Sequence, residues 1–127
     1  MKDKRRLDRA EQYLIGAEIL YKNGDFGGCV SRSYYAAYQA MWFAMGDPER
    51  KPRWEHLGII KSFVRGVWYD PKVPARGPGL FEKYRFPLHR LYDLRLGADY
   101  RLDDIKEREA IWAIETTKEI MQTIKGR

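Results

Sequence analysis

Cysteine and histidine are scarce: the 127 residues hold one of the first and two of the second. A lone Cys29 cannot close a disulfide within the chain, which fits a reducing, cytoplasmic setting and a role as a small core side chain. So few soft ligands argue against a transition-metal site built by the protein itself, and neither a metal nor another cofactor is expected. Long apolar runs are missing too. The longest, residues 34–46, is interrupted by Gln39 and falls well short of the about 20 residues a membrane span requires, so it reads as a core helix. The basic start is followed by Glu11, Gln12 and Glu18 rather than an apolar stretch with a small-residue cleavage site, so no secretory signal is expected. No glycine-rich phosphate loop, zinc ligand set, nucleophile elbow, strand pattern or internal repeat is found.

What is present suits one folded domain spanning 1–127. Hydrophobic residues at 44% and aromatics at 14% are too many for a disordered chain, and a 33% charged fraction is too high for a membrane protein. A chain of this length can bury roughly two-thirds of its unfolded surface around a single core. The net charge of +6 is unevenly placed. Between Arg50 and Arg95, eleven Lys or Arg residues (50, 51, 53, 61, 65, 72, 76, 83, 85, 90, 95) meet four acids, for a net +7, and the rest of the chain sums to −1. Gathered positive charge attracts RNA, a nucleotide or an acidic protein partner through phosphate or carboxylate contacts, although a basic segment can also serve solubility alone.

Periodicity predicts helices throughout. Leu7, Ala10, Leu14, Ala17 and Tyr21 recur at steps of three and four, marking a first helix. Asn23-Gly24 supplies its end and Asp25 a cap for the next, so the first two helices form an antiparallel hairpin. The second helix, residues 26–45, carries a small-residue seam of Ser33, Ala37, Ala40 and Ala44. Tyr34, Tyr38, Met41, Trp42 and Met45 cover its other faces, which places it at the centre, and Gly46-Asp47-Pro48 stops it. A third helix over about residues 54–68 buries Leu57, Ile60, Val64 and Val67, and residues 69–79, with three prolines and two glycines, form a loop that can flank a site. Leu80, Tyr84, Leu88, Leu91 and Ala98 mark a fourth helix, with Pro87 either kinking it or opening a new one. Asp104 with Glu107 resembles a capping pair, Asp103 and Asp104 read as helix-start acids, and Ala110, Ile114, Thr117, Met121 and Ile124 form the last stripe. The expected fold is all-α, a single four- to five-helix up-and-down bundle.

The order of short motifs is informative. Gly24-Asp25-Phe26, then Ser31-Arg32-Ser33-Tyr34-Tyr35-Ala36-Ala37-Tyr38, then His56 at a helix start, then Arg95-Leu96-Gly97-Ala98-Asp99-Tyr100 resembles a small stand-alone branch of the HEPN domain family, over about residues 7–120. The resemblance implies a HEPN-like helical bundle that pairs as a homodimer and sets a polar motif from each subunit into a shared cleft. It also implies an RNA- or nucleotide-binding protein, the helical half of a toxin-antitoxin or nucleotidyltransferase-paired module, with a small nucleotidyltransferase as partner. Many members are metal-independent ribonucleases. Their motif is an arginine, four variable residues and a histidine, the histidine handling protons and the arginine holding phosphate.

Counting from Arg95 puts Tyr100 where that histidine stands. A phenol titrating near ~10 offers almost no phenolate at neutral pH and is a poor general base, yet it can donate to a phosphate oxygen. The candidate catalytic residues are therefore Arg95, Tyr100 and His56, with Arg32, Asp99 and Tyr35 as candidate substrate-binding residues. Each has a structural alternative. Arg95 and Asp99, four apart on one helix face, can form a plain ion pair, or Asp99 can orient the Arg95 fork toward phosphate. His56 either caps or staples the third helix, or faces the cleft as the missing base. Tyr34, Tyr35 and Tyr38 suit core or interface positions as well as base stacking, and Arg32 reaches the cleft or remains a surface charge. His89, roughly 120° around the helix from Arg95, is not a candidate. Every functional reading of this site requires that the Arg95 guanidinium look out of the bundle into an electropositive groove able to hold a nucleotide's phosphate; the alternative to a ribonuclease is a non-catalytic dimeric interaction module binding nucleic acid or a protein partner.

Overall fold

The computed structural model describes residues 3–65 and 80–126, the side chains of the second stretch from residue 83. The helices are α1 (Lys4–Lys22), α2 (Phe26–Met45), α3 (His56–Val64), α4 (Leu80–Leu96) and α5 (Glu107–Lys125), with a π-helical turn (Gly97–Arg101) continuing α4. Among the described residues there is no strand, and the architecture is the expected all-α bundle of five helices. None of these helices is long and apolar enough to cross a membrane. Val67, Lys72, Arg76 and the expected loop over 69–79 lie outside the described residues.

The α1–α2 hairpin is set by three consecutive residues. Gly24, at φ +78°, takes the left-handed conformation that ends α1. Its N–H reaches the Tyr21 carbonyl at 3.0 Å and the Asp25 N–H reaches Leu20 at 2.9 Å, closing the last turn. Asp25 then caps α2, accepting from the Gly28 N–H at 2.8 Å. A Cβ at position 28 would stand 2.5 Å from that carboxylate, so any other residue there would require the Asp25 side chain to shift.

α2 is the central element, packed against α1, α3, α4 and α5. Its seam of Ser33, Ala37, Ala40 and Ala44 is buried, as are Tyr34, Tyr38, Met41 and Trp42. Small side chains let α5 approach closely: Thr117 Oγ1 donates to the Ser33 carbonyl at 3.1 Å, and the Cys29 thiol lies 3.9 Å from the Ala110 carbonyl. Burial pushes the Cys29 thiol up to about 11, so it behaves as a small core side chain.

Two local expectations are corrected and one open alternative is decided. The third helix begins at His56, and its buried face is Ile59, Ile60, Phe63 and Val64, whereas Leu57 is 53% exposed. Leu57 sits in the first turn, where tertiary contacts and not periodicity decide the buried side. Pro87 lies within a continuous α4 and opens no new helix. α5 starts later than Asp104 predicts: Glu109 accepts from the Lys106 N–H at 2.9 Å, while Asp104 pairs with the Lys106 ammonium and Asp103 with Arg101. Replacing Asp25 by alanine is expected to lower stability by about 1 kcal/mol, read as a reduced urea midpoint at unchanged m-value; an unchanged midpoint would show that the hairpin does not depend on this cap.

Candidate functional site

Arg95 stands at the C-terminal end of α4, where the backbone widens. The Leu102 N–H reaches back to the Gly97 carbonyl, an i→i+5 bond, and Asp103 N–H also reaches Gly97 at 3.0 Å. Gly97 is buried, and a Cβ there would fall 2.3 Å from the Asp103 carboxylate, which fills the space instead. Arg101 braces the turn, donating to the Asp93 carbonyl at 3.0 Å and pairing with Asp93 and Asp103 at 3.3 Å each. The chemical effect is on facing. In an α-helix residues 95 and 100 would point about 140° apart; the wider turn brings Tyr100 back over Arg95, with the hydroxyl 3.4 Å from Nη2 and the ring 5.2 Å from Cζ.

Arg95 is buried in this chain, the residue only 5% exposed. This corrects the expectation of an arginine opening directly into a groove: Tyr100, itself 69% exposed, lies over it. Nη2 donates to the hydroxyls of both Tyr35 and Tyr100. Nε lies 3.1 Å from Asp99 Oδ2, an ion pair, but is not aligned for a hydrogen bond and has no other partner. The rings of Tyr35 and Tyr34, at 5.0 and 5.8 Å, complete an aromatic surround that favours a cation. Burial alone works against the charge, but Tyr35, Tyr100 and Asp99 outweigh it and hold Arg95 above the ordinary arginine range. Asp99 is itself anchored to α2, accepting from Ser31 Oγ at 3.0 Å.

One consequence follows from hydroxyl geometry. Each phenol oxygen accepts from Arg95, so each O–H proton points elsewhere. At the exposed Tyr100 it points toward whatever approaches from solvent. The arrangement is a buried cation that presents its attraction for anions through a phenol.

His56 reaches the same cluster from α3. Trp54 Nε1 donates to the Gly46 carbonyl at 2.8 Å and Tyr38 donates to the Trp54 carbonyl, fixing the connection that places His56. Its ring neither caps α3 nor acts as a staple: Nδ1 pairs with the Tyr34 hydroxyl at 2.7 Å, and it stacks on Tyr92 at 5.6 Å and lies 6.2 Å from Tyr35. Tyr34 is fully buried, and burial raises its pKa, so its proton stays on and is best satisfied by donation to Nδ1. That leaves the proton of a neutral His56 on Nε2. Burial first, then the Arg95 and Arg53 charges, hold the His56 pKa below the usual 6.5.

The structure thus brings Arg95, Asp99, Tyr100 and Tyr35 into direct contact, sets His56 one ring away, and leaves Arg32 exposed at the outer edge over Tyr13. Sequence reasoning missed Ser31, Tyr34 and Tyr92 as partners of these groups. Tyr92 lies three residues before Arg95, a helical spacing that signals a shared face. Of the eleven bases between Arg50 and Arg95, two lie outside the described residues, Arg95 is buried and the other eight are exposed. No group of three His, Cys, Asp or Glu side chains placed to hold a metal occurs among the described residues.

Because the folded His56 titrates below the unfolded value, the unfolded chain binds the proton first, and the related stability is present above about pH 6.5 and lost as pH falls from there through the lower folded value. The urea midpoint of the wild type is expected to fall between pH 7.5 and 5.5 by more than that of His56→Gln; equal falls would show that His56 is not held neutral.

Comparison with known proteins identifies the family. The family model described as HEPN domain matches residues 4–127. The chain is 29% identical over 120 residues to a protein of Methanocaldococcus jannaschii named "Putative toxin MJ0605", an alignment covering 94% of this chain and 83% of that protein. With a family match over nearly its whole length and the five-helix architecture in place, the chain belongs to the HEPN family.

Proposed function

We propose that this protein is an RNA-binding HEPN protein of the toxin-antitoxin type, engaging an RNA phosphate at Tyr100 and Arg95. The observation that carries this is the double donation from Arg95 to Tyr35 and Tyr100, which frees both phenol protons for an anion and leaves a buried cation matched by one imperfectly aligned carboxylate. A phosphate at Tyr100 adds negative charge where compensation is incomplete. The exposed bases of the 50–95 segment supply longer-range attraction. The name of the Methanocaldococcus jannaschii relative supports the toxin assignment. By the same family reading, the protein works as a homodimer beside a small nucleotidyltransferase in the cytoplasm.

Cleavage, where it occurs, is transesterification without a metal. The ribose 2′-oxygen attacks phosphorus, the 5′-oxygen leaves, and a 2′,3′-cyclic phosphate remains. Arg95 and the Tyr100 hydroxyl stabilise charge on the non-bridging oxygens, and a proton must be taken from the 2′-hydroxyl and given to the leaving oxygen. A neutral His56 with its proton on Nε2 can donate a hydrogen bond to a phosphate oxygen, and only its protonated form could hand a proton to the leaving 5′-oxygen. The same Tyr34–His56 pairing favours the second reading, a binding module without catalysis, because it leaves no free imidazole lone pair to act as base.

Purified protein incubated in chelator with single-stranded and hairpin RNA separates the two: products ending in cyclic phosphate show the nuclease, and salt-sensitive binding without products shows the module. Tyr100→Phe keeps the exposed ring and removes one charge-assisted hydrogen bond, so RNA affinity is expected to drop by about tenfold or more. Full affinity in that variant would contradict the phosphate site.

A further inference from the structure

Tyr13 on α1 lies outside every motif that suggested the site, yet it joins the site through a continuous column of stacked groups. Its ring stacks on Tyr35 at 5.8 Å with planes 30° apart. Tyr35 in turn meets the Arg95 guanidinium at 5.0 Å. On Tyr13 sits the Arg32 guanidinium, 5.7 Å from the ring centre. Each phenol of this pair thus has a guanidinium beside it, Arg32 at Tyr13 and Arg95 at Tyr35, and the two cations differ. Arg95 is buried and held by Asp99, whereas Arg32 is exposed and makes no ion pair among the described residues. Tyr13 is half-buried, so the column opens at the Arg32 end.

An unpaired nucleobase is the ligand that fits such an opening. A base has an aromatic face for the phenol and another for the guanidinium, and proteins that bind single strands use this sandwich without needing base-edge contacts. Two stacking layers of about 3.4 Å each need a gap near 7 Å. The Arg32 guanidinium, now 5.7 Å from the Tyr13 ring centre, must therefore move outward by roughly one ångström or more, and its exposed position leaves room for that. The Tyr13 ring is also at most about 11 Å from the Arg95 guanidinium through Tyr35, within reach of a nucleotide adjoining one whose phosphate sits at Tyr100. An acidic protein segment would use Arg32 but gain nothing from the Tyr13 face.

We infer that Tyr13 and Arg32 form a base-stacking subsite that clamps one unpaired nucleobase of a single-stranded RNA next to the Arg95–Tyr100 phosphate position. This rests on the proposed RNA-binding function and adds the strandedness of the substrate and the residues that select it. It assigns Arg32 to base stacking, at one remove from the Arg95 cluster.

The test measures binding of a short single-stranded RNA carrying 2-aminopurine, whose fluorescence falls on stacking, with an abasic version of the same oligonucleotide and inorganic tripolyphosphate as controls. The wild type is expected to quench the probe and to bind the abasic oligonucleotide more weakly. Tyr13→Leu is expected to lose affinity for the intact RNA by about five- to a hundredfold with tripolyphosphate binding unchanged, and Tyr13→Phe to retain affinity. Arg32→Ala, at an exposed position with no fold to disturb, should reduce quenching. Undiminished RNA affinity and quenching in Arg32→Ala and in a folded Tyr13→Leu overturn the subsite. If Tyr100→Phe weakens binding while the Tyr13 and Arg32 variants do not, the phosphate site stands and the subsite falls. The reverse pattern retains the subsite and removes the phosphate site, and no RNA binding by the wild type removes both.

Discussion

A positive charge placed where water barely reaches is the constraint around which this molecule is arranged. A buried guanidinium is costly unless its charge and its N–H donors are met, and Arg95 is met by one carboxylate, two phenol oxygens and the surrounding rings. Asp99 is fixed to α2 through Ser31, Tyr35 belongs to α2, and Tyr100 belongs to the widened turn after α4. Satisfying one side chain therefore ties together the central helix and the end of its neighbour. An isolated surface Arg–Asp pair four residues apart would contribute only a few tenths of a kcal/mol; burial raises what depends on it.

The backbone deviation and the site are one feature. Had α4 continued as an α-helix, Asp99 would still face Arg95, but Tyr100 would point away and the cation would lack its outer phenol. Gly97 permits the space that Asp103 fills, Arg101 holds the turn to Asp93, and Leu102 leaves it in the left-handed conformation at φ +56°. Rigidity comes from the hairpin and the small-residue seam of α2, which allow α1 and α5 to pack closely and keep Tyr13, Tyr34 and Tyr35 in register with α4.

Much of this was legible in the residues. Stripes, the Asn23-Gly24-Asp25 junction and the Gly46 stop placed α1 and α2 because local backbone chemistry decides those features. The start of α3 was misplaced because Trp54 and His56 are positioned by long-range bonds to Gly46 and Tyr34 and not by periodicity. The Arg95, Asp99 and Tyr100 grouping was visible from spacing and family resemblance. That Arg95 is covered was not, since covering depends on an i→i+5 turn that no residue type announces. Tyr13 was silent because its partner lies on another helix, beyond the reach of a pattern read along one.

The claim at the centre is that Arg95 offers its charge to an anion through the Tyr100 hydroxyl. The most direct measurement is an NMR titration with a 2′-deoxy dinucleotide, which cannot be cleaved, following the Tyr100 ring ζ-carbon and the Arg95 guanidinium nitrogens. Saturable, salt-sensitive shifts at both groups with one shared dissociation constant are expected. Shifts confined to the exposed lysines and arginines of the 50–95 segment, with Tyr100 and Arg95 silent, would contradict it.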